Sequence, residues 1–197
     1  MKIGMLTGIW YVAESRTLLE SLERAAAIGF RCVDLHGVFH AGPAHLTIEE
    51  ARTVKRAMDS LGLEPRNYVC HAPHNIPSAG ERESDENLEY LKAAVDLALV
   101  WGVNQIMLNA GQWAYDVGRQ EAWARSVRFL QRLCDYAAGR GIFIAQETEP
   151  YVWFLVNDIA STVRMQKDVD RENFTTLIDL GHMALAREGE RDLAMLA

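Results

Sequence analysis

Trp123 to Glu147 reads WARSVRFLQRLCDYAAGRGIFIAQE. Trp123, Val127, Leu130, Cys134 and Ala137 recur at three- and four-residue steps, the spacing that puts side chains on one face of a helix. Gly141 follows, a residue suited to the left-handed turn that ends a helix. Ile142 to Ala145 then form a short apolar run that closes on Gln146 and Glu147. This is one helix-turn-strand unit, and the chain repeats it about every 35 residues.

The glycine markers are Gly29, Gly62, Gly102 and Gly141, and the runs after them read RCVDLHG, NYVCHAP, NQIMLNAG and IFIAQE. KIGMLTG opens the series without a preceding helix, and FTTLIDLGH follows Asn173, which gives six candidate strands. Helical faces recur between them, with Leu18, Leu22, Ala25 and Ala26 on one and Leu88, Leu91, Val95 and Ala98 on another. Thr47 and Glu50 have the S/T-x-x-E spacing of a capping box, which satisfies orphan amides at a helix start. Strands alternating with helices build parallel β/α units. No low-complexity tract or linker divides the chain, so residues 1–197 are expected to form a single domain.

Six such units fit an open doubly wound sheet or part of a closed β/α barrel. The dinucleotide-binding form of the open sheet needs GxGxxG after the first strand, and Gly4, Gly8 and the following Ile9-Trp10 do not supply it. The barrel is favoured by the residues on which the strands end: His36, His71, Asn109, Glu147, and Asp179 with His182. His36 to His71 is 35 residues, His71 to Asn109 is 38, Asn109 to Glu147 is 38 and Glu147 to Asp179 is 32. Polar residues at one place in successive units converge on the mouth of a barrel, where its active site lies.

Composition narrows the classes further. The 197 residues are 49% hydrophobic and 24% charged with a net charge of −7, ordinary for a soluble domain with a full core. No apolar stretch has the length of a membrane span and the first residues lack a signal-peptide layout, so a cytoplasmic protein is expected. Cys32, Cys70 and Cys134 are odd in number, far apart and in no CxxC pair, which argues against a disulfide framework or a zinc knuckle. An acidic chain with no Lys/Arg run is not expected to bind nucleic acid.

With period-two alternation Phe143, Ala145 and Glu147 share a strand face, so a carboxylate caps a buried stripe. Spacing alone equally allows Glu147 to cap a helix or pair with an arginine, and Glu149 competes with it from the loop. Asp179 closes Thr175-Thr-Leu-Ile-Asp, and Asp-x-x-His at a strand-to-helix turn brings a carboxylate and an imidazole within reach of one ligand. The alternative is an Asp that N-caps a helix and a surface His182. His71-Ala-Pro-His74 adds two imidazoles, of which His71, at the strand end, is the site candidate. Oxygen-rich donors with an imidazole suit Mn²⁺, Mg²⁺, Co²⁺ or Zn²⁺. Trp10, Trp113 and Trp153 fall just after strands one, four and five, where loops surround a barrel mouth and an indole face packs against the C–H face of a sugar. Trp101 and Trp123 read as helix core.

The order of MKIGMLTG, VDLHG, VCHAP, IMLNAG, AQETEP and LIDLGHMAL resembles the xylose-isomerase-like TIM-barrel superfamily, the sugar phosphate isomerase/epimerase group that also holds endonuclease IV type AP endonucleases. The specific pieces are the strand-five Glu with Asn157 ten residues on, and D-x-G-H at strand six. The resemblance implies a divalent metal held by Glu147 and Asp179 together with a His from strand seven and a Glu from strand eight. It implies substrate hydroxyls at His182, or His182 in a multinuclear metal site in nuclease-like members. Two departures are visible. Asn109-Ala-Gly111 stands where many members have His before the Gly, which weakens a trinuclear zinc cluster because an amide is a poor zinc ligand. Asp34-Leu-His36 stands where relatives often carry Glu-Leu.

The expected function is metal-assisted isomerisation or epimerisation of a small sugar or sugar phosphate through an ene-diolate. Glu147 is ligand and general base, and His36, His71, Asn109 and the three loop tryptophans contact substrate. A DNA-repair phosphodiesterase, an inosose-type dehydratase and a non-catalytic sugar binder are the rivals. Oligomeric state is open, homo-oligomers being frequent among related barrels. Six units of roughly 35 residues fall short of the eight units and about 250 residues of a closed barrel. The expectation is therefore an incomplete barrel without strands seven and eight, open-edged, inactive and aggregation-prone alone.

Overall fold

The computed structural model describes residues 2–14 and 16–196. Six parallel β/α units are present. The elements are β1 (Gly4–Leu6), α1 (Gly8–Glu14), α2 (Leu18–Ile28), β2 (Cys32–His36), α3 (Ile48–Leu61), β3 (Glu64–Val69) and α4 (Glu81–Trp101). They continue as β4 (Gln105–Leu108), α5 (Arg119–Ala138), β5 (Phe143–Glu147), α6 (Ile159–Val169), β6 (Phe174–Leu177), α7 (Leu180–Ala186) and α8 (Glu190–Leu193). The sheet runs in sequence order, β1-β2-β3-β4-β5-β6. That order is the sequential winding of a barrel, and the fold is that of an incomplete TIM barrel with six β/α units. Among the described residues no helix is long and apolar enough to cross a membrane.

Local chemistry sets the element ends where the sequence marks them. Gly29, Gly62, Gly102 and Gly141 all have positive φ, from 67° to 106°, which lets each helix turn back into its strand without a Cβ penalty. The Thr47/Glu50 capping box forms, the Glu50 carboxylate accepting the Thr47 N–H at 2.7 Å and the Thr47 hydroxyl accepting the Glu50 N–H at 3.3 Å. Thr17 and Glu20 make the same pair at the start of α2.

The chain packs as two compact units. The first, Met1–His71 with Leu91–Ile106, buries Leu22, Leu35, Met58, Tyr68 and Trp101 completely or nearly so. Trp101 meets Tyr68 edge-on at 5.0 Å and donates its indole N–H to the Ala51 carbonyl at 3.1 Å, so its one polar atom is satisfied. Within this unit β2 pairs with β3, with a register shift between Val33 and Asp34. The second unit, Ala72–Tyr90 with Met107–Ala197, is centred on Leu108, Leu130, Leu133, Ile142, Ile144 and Met165. Each such Leu or Ile contributes roughly 1.5–3 kcal/mol by leaving water. All three cysteines are buried and outside any disulfide, and burial pushes the Cys134 thiol up to about 12.

Several expectations are corrected. Trp10 does not lie in an open loop: α1 follows β1 directly and buries Trp10 to 8% exposure. The apolar stripe under Glu147 does not begin at Phe143, which is 42% exposed at the opposite end of β5. A strand flanked on both sides buries both faces, and Ile144, Ala145 and Gln146 are all fully covered. Asp179 does not end β6, which stops at Leu177; it is the N-cap of α7. His71 and Asn109 likewise lie just beyond Val69 and Leu108, so only His36 and Glu147 are last residues of their strands.

Candidate functional site

The second unit brings Glu147, Asp179 and His182 together. Glu147 stands opposite Leu177 in the β5–β6 register, so the ends of the two strands are level and the chain leaving β6 turns over Glu147. Asp179 and His182 are fixed by one local bond: the Asp179 Oδ1 accepts the His182 N–H at 2.9 Å, capping α7. The other carboxylate oxygen, Oδ2, lies 4.0 Å from His182 Nε2, and His182 Nδ1 lies 4.0 Å from Glu147 Oε1. One donor atom from each of the three residues falls within 4.8 Å of the others. One Asp179 oxygen therefore caps α7, and the other is left facing His182.

His182 is oriented by a group that no sequence motif announces. Its Nδ1 is 2.8 Å from the Thr148 carbonyl, which can only accept, so Nδ1 carries the proton. Nε2 then lies on the Asp179 side, where a metal or a substrate hydroxyl could meet it.

Electrostatics distinguish this cluster from an ordinary surface group. Burial, reinforced by Glu149 and Asp179 and opposed by His182, pushes the Glu147 carboxyl up to about 7. Burial also raises Glu149. Carboxylates crowded in a half-dry pocket want a cation. Two carboxylates and an imidazole are a donor set for a borderline or hard divalent ion, so the residues present fit such a metal.

Asn109, Trp113 and Trp153 belong to the same unit. Asn109 accepts the Gly111 N–H at 3.1 Å, and Gly111, at φ 97°, abuts Pro77 so closely that a Cβ would collide with it. The loops after β4 and β5 are tied together there: Trp113 N–H donates to the Trp153 carbonyl at 2.6 Å and Leu155 N–H to the Gly111 carbonyl at 3.1 Å. Trp113 spends its indole N–H on the Val117 carbonyl at 2.9 Å. Trp153 is 48% exposed. His74 is structural, its ring 3.0 Å from Glu86 and its N–H bonded to Asn87.

His36, His71 and Trp10 lie in the first unit. There His36 stacks on Phe39 at 4.5 Å, and burial, with His71 adding to it, pushes its ring down to about 4. His71 is lowered by burial as well. His40, not singled out by the sequence, is pushed down to about 4 and meets Tyr11 edge-on at 5.5 Å. No three of these histidines form a metal-sized group among the described residues.

The sequentially wound β/α sheet defines a fold class, and comparison with known families agrees with it. The family model for the xylose isomerase-like TIM barrel matches residues 22–197, and the chain belongs to that family. Fructoselysine 3-epimerase of Shigella flexneri is 24% identical over 153 residues, which are 75% of this chain and 55% of that protein. The chain thus spans about half the length of the curated relatives it matches. The crystal structure of D-psicose 3-epimerase with D-tagatose from Clostridium cellulolyticum H10 superposes with a TM-score of 0.84 at 17% identity, covering 100% of this chain and 70% of that one. The IOLI protein, solved with a zinc atom bound, superposes at 0.78 with 16% identity, covering 98% and 68%.

Proposed function

We propose that this chain carries the metal-binding and proton-transferring part of a sugar isomerase or epimerase, working through an ene-diolate. The observation that carries the reading is the convergence of Glu147, Asp179 and His182 within 4.8 Å. These three would hold a divalent cation, which when bound polarises a carbonyl oxygen and spreads the charge of the ene-diolate. Glu147, in its ionised form, would take a proton from the carbon beside the carbonyl and give it back. Inversion at that carbon needs a second carboxylic acid on the other face of the sugar. His182 Nε2 would complete the metal set, the ring oriented by the bond from Nδ1 to the Thr148 carbonyl. Trp113 and Trp153 cover the C–H face of the sugar and exclude water.

The reading agrees with the sugar epimerases among the relatives, and a small sugar or sugar phosphate is the substrate class. A nuclease is disfavoured by Asn109 at the strand-four position and by a net charge of −7.

The test is exchange in D₂O with Mn²⁺ and a ketohexose, followed by NMR. Deuterium should appear at the carbon next to the carbonyl, and Glu147→Gln should lower its rate by about a hundredfold or more, the usual loss of a general base. Exchange or turnover unchanged in Glu147→Gln would remove Glu147 from the mechanism.

A further inference from the structure

The loop between β5 and α6 rises directly from Glu147 and carries an aromatic stack that the sugar reading does not use in full. Tyr151 and Trp153 lie nearly parallel, 7° between planes and 5.0 Å between centroids, and are 41% and 48% exposed. Val152 between them is 77% exposed, and Tyr115, in the loop after β4, is 96% exposed. Trp113 and Tyr115 pack against each other at 5.1 Å.

This surface is fixed in place. Glu149 N–H donates to the Val156 carbonyl at 3.2 Å, closing the base of the loop, and Tyr151 and Phe154 N–H groups bond back to Glu149 and Tyr151 at 2.8 and 3.0 Å. An antiparallel bridge, Gln112 to Phe154, joins the loop to the one after β4. Asn75 braces that bridge from both sides, accepting the Gln112 N–H and donating to its carbonyl, each at 2.8 Å. Tyr151 is four steps along the chain from Glu147, so their Cα atoms are at most about 14 Å apart. The stack is therefore within reach of a molecule whose polar end sits at Glu147, Asp179 and His182.

A free monosaccharide is ringed by hydroxyls and has use for one indole face. Two stacked, half-exposed rings offer more apolar area than that, and exposed apolar surface held in place beside a polar cluster marks a binding surface. We infer that the Tyr151–Trp153 stack receives an apolar or aromatic substituent on the sugar, so that the site acts on substituted sugars in preference to free monosaccharides. This rests on the sugar reading above and adds a second point of attachment to it.

The experiment compares D-fructose with its 1-benzylamino-1-deoxy derivative, binding being measured by calorimetry with Mn²⁺ present. The benzyl compound should bind about tenfold tighter or more, the scale of one aromatic ring leaving water onto a stack. Tyr151→Ala should cut that preference to under about threefold, and Tyr151→Phe, which keeps the ring, should retain it. Equal affinity for the two sugars, or a preference untouched by Tyr151→Ala, would overturn the inference while the sugar reading stands. Failure of both sugars to bind would bring down the sugar reading and the inference together. Sedimentation supplies the remaining arm: a dimer dispersed by Tyr151→Ala would assign the stack to a second copy of the chain and overturn the inference.

Discussion

His36, His40 and His71 in the first unit, and Glu147, Glu149, Asp179 and His182 in the second, are two gatherings of ionisable side chains partly withdrawn from water. Desolvation always penalises the charged form, so it acts on them in opposite senses. The imidazoles escape by losing a proton: His36 and His40 fall to about 4 and are neutral aromatic rings at pH 7, His36 stacked on Phe39 and His40 edge-on to Tyr11. The carboxylates can escape only by gaining one, and Glu147, at about 7, is held on the edge of doing so. The first gathering is electrostatically at rest near neutrality. The second is not, and a divalent cation is what would settle it.

The largest expected effect arises from that contrast. Saturating Mn²⁺ at about a hundred times Kd should stabilise the folded chain by roughly 2.7 kcal/mol, or about 5–10 °C in Tm for a chain of this size. Glu147→Gln should abolish the shift and His36→Asn should leave it. A shift that His36→Asn removed would break the comparison.

Protons should compete with the metal at one cluster only. Because the Glu147 carboxyl must be ionised to bind, Mn²⁺ affinity should fall by up to about tenfold per pH unit below 7 and level off above it. A flat profile from pH 5 to 8 would show that Glu147 is no ligand.

Without metal, the two clusters should pull stability in opposite directions. A carboxyl raised from 4.5 to about 7 stabilises the fold below pH 4.5, and that contribution is lost as pH rises to about 7. Imidazoles lowered from 6.5 to about 4 stabilise it above pH 6.5, and theirs is lost as pH falls to about 4. Urea melts of Glu147→Gln in chelator should therefore rise more steeply with pH between 4.5 and 6.5 than those of the wild type.

The smallest effect separates the two tasks of Asp179. Asp179→Asn keeps a capping oxygen for the His182 N–H but loses the charge, and should bind Mn²⁺ poorly while melting within about 0.5 kcal/mol of wild type. Asp179→Ala loses both and should cost about 1 kcal/mol more. Equal melting of the two variants would mean that the cap contributes nothing to α7.

The fold was legible because backbone requirements leave marks on residue choice. Four helix ends needed a left-handed turn and took glycine, and each strand buried on both faces took a continuous apolar run. Glu147 and the Asp179/His182 pair were legible for the same reason, as polar residues where apolar runs stop. What escaped is what side-chain identity does not encode. The short helix α1 buries Trp10 through tertiary packing, and the Thr148 carbonyl that fixes the His182 tautomer belongs to a peptide group, which every residue has. Tyr151 escaped because its partner, Trp153, explains itself as a loop tryptophan; only the stacked geometry makes the two a surface.

The central claim is that Glu147, Asp179 and His182 form one divalent metal site. Calorimetric titration of the metal-stripped protein with Mn²⁺ at pH 7.5 tests it most directly. The expected result is a single site per chain that disappears in Glu147→Gln and in Asp179→Asn. No heat of binding in the wild type, or a site that survives both substitutions, would contradict it.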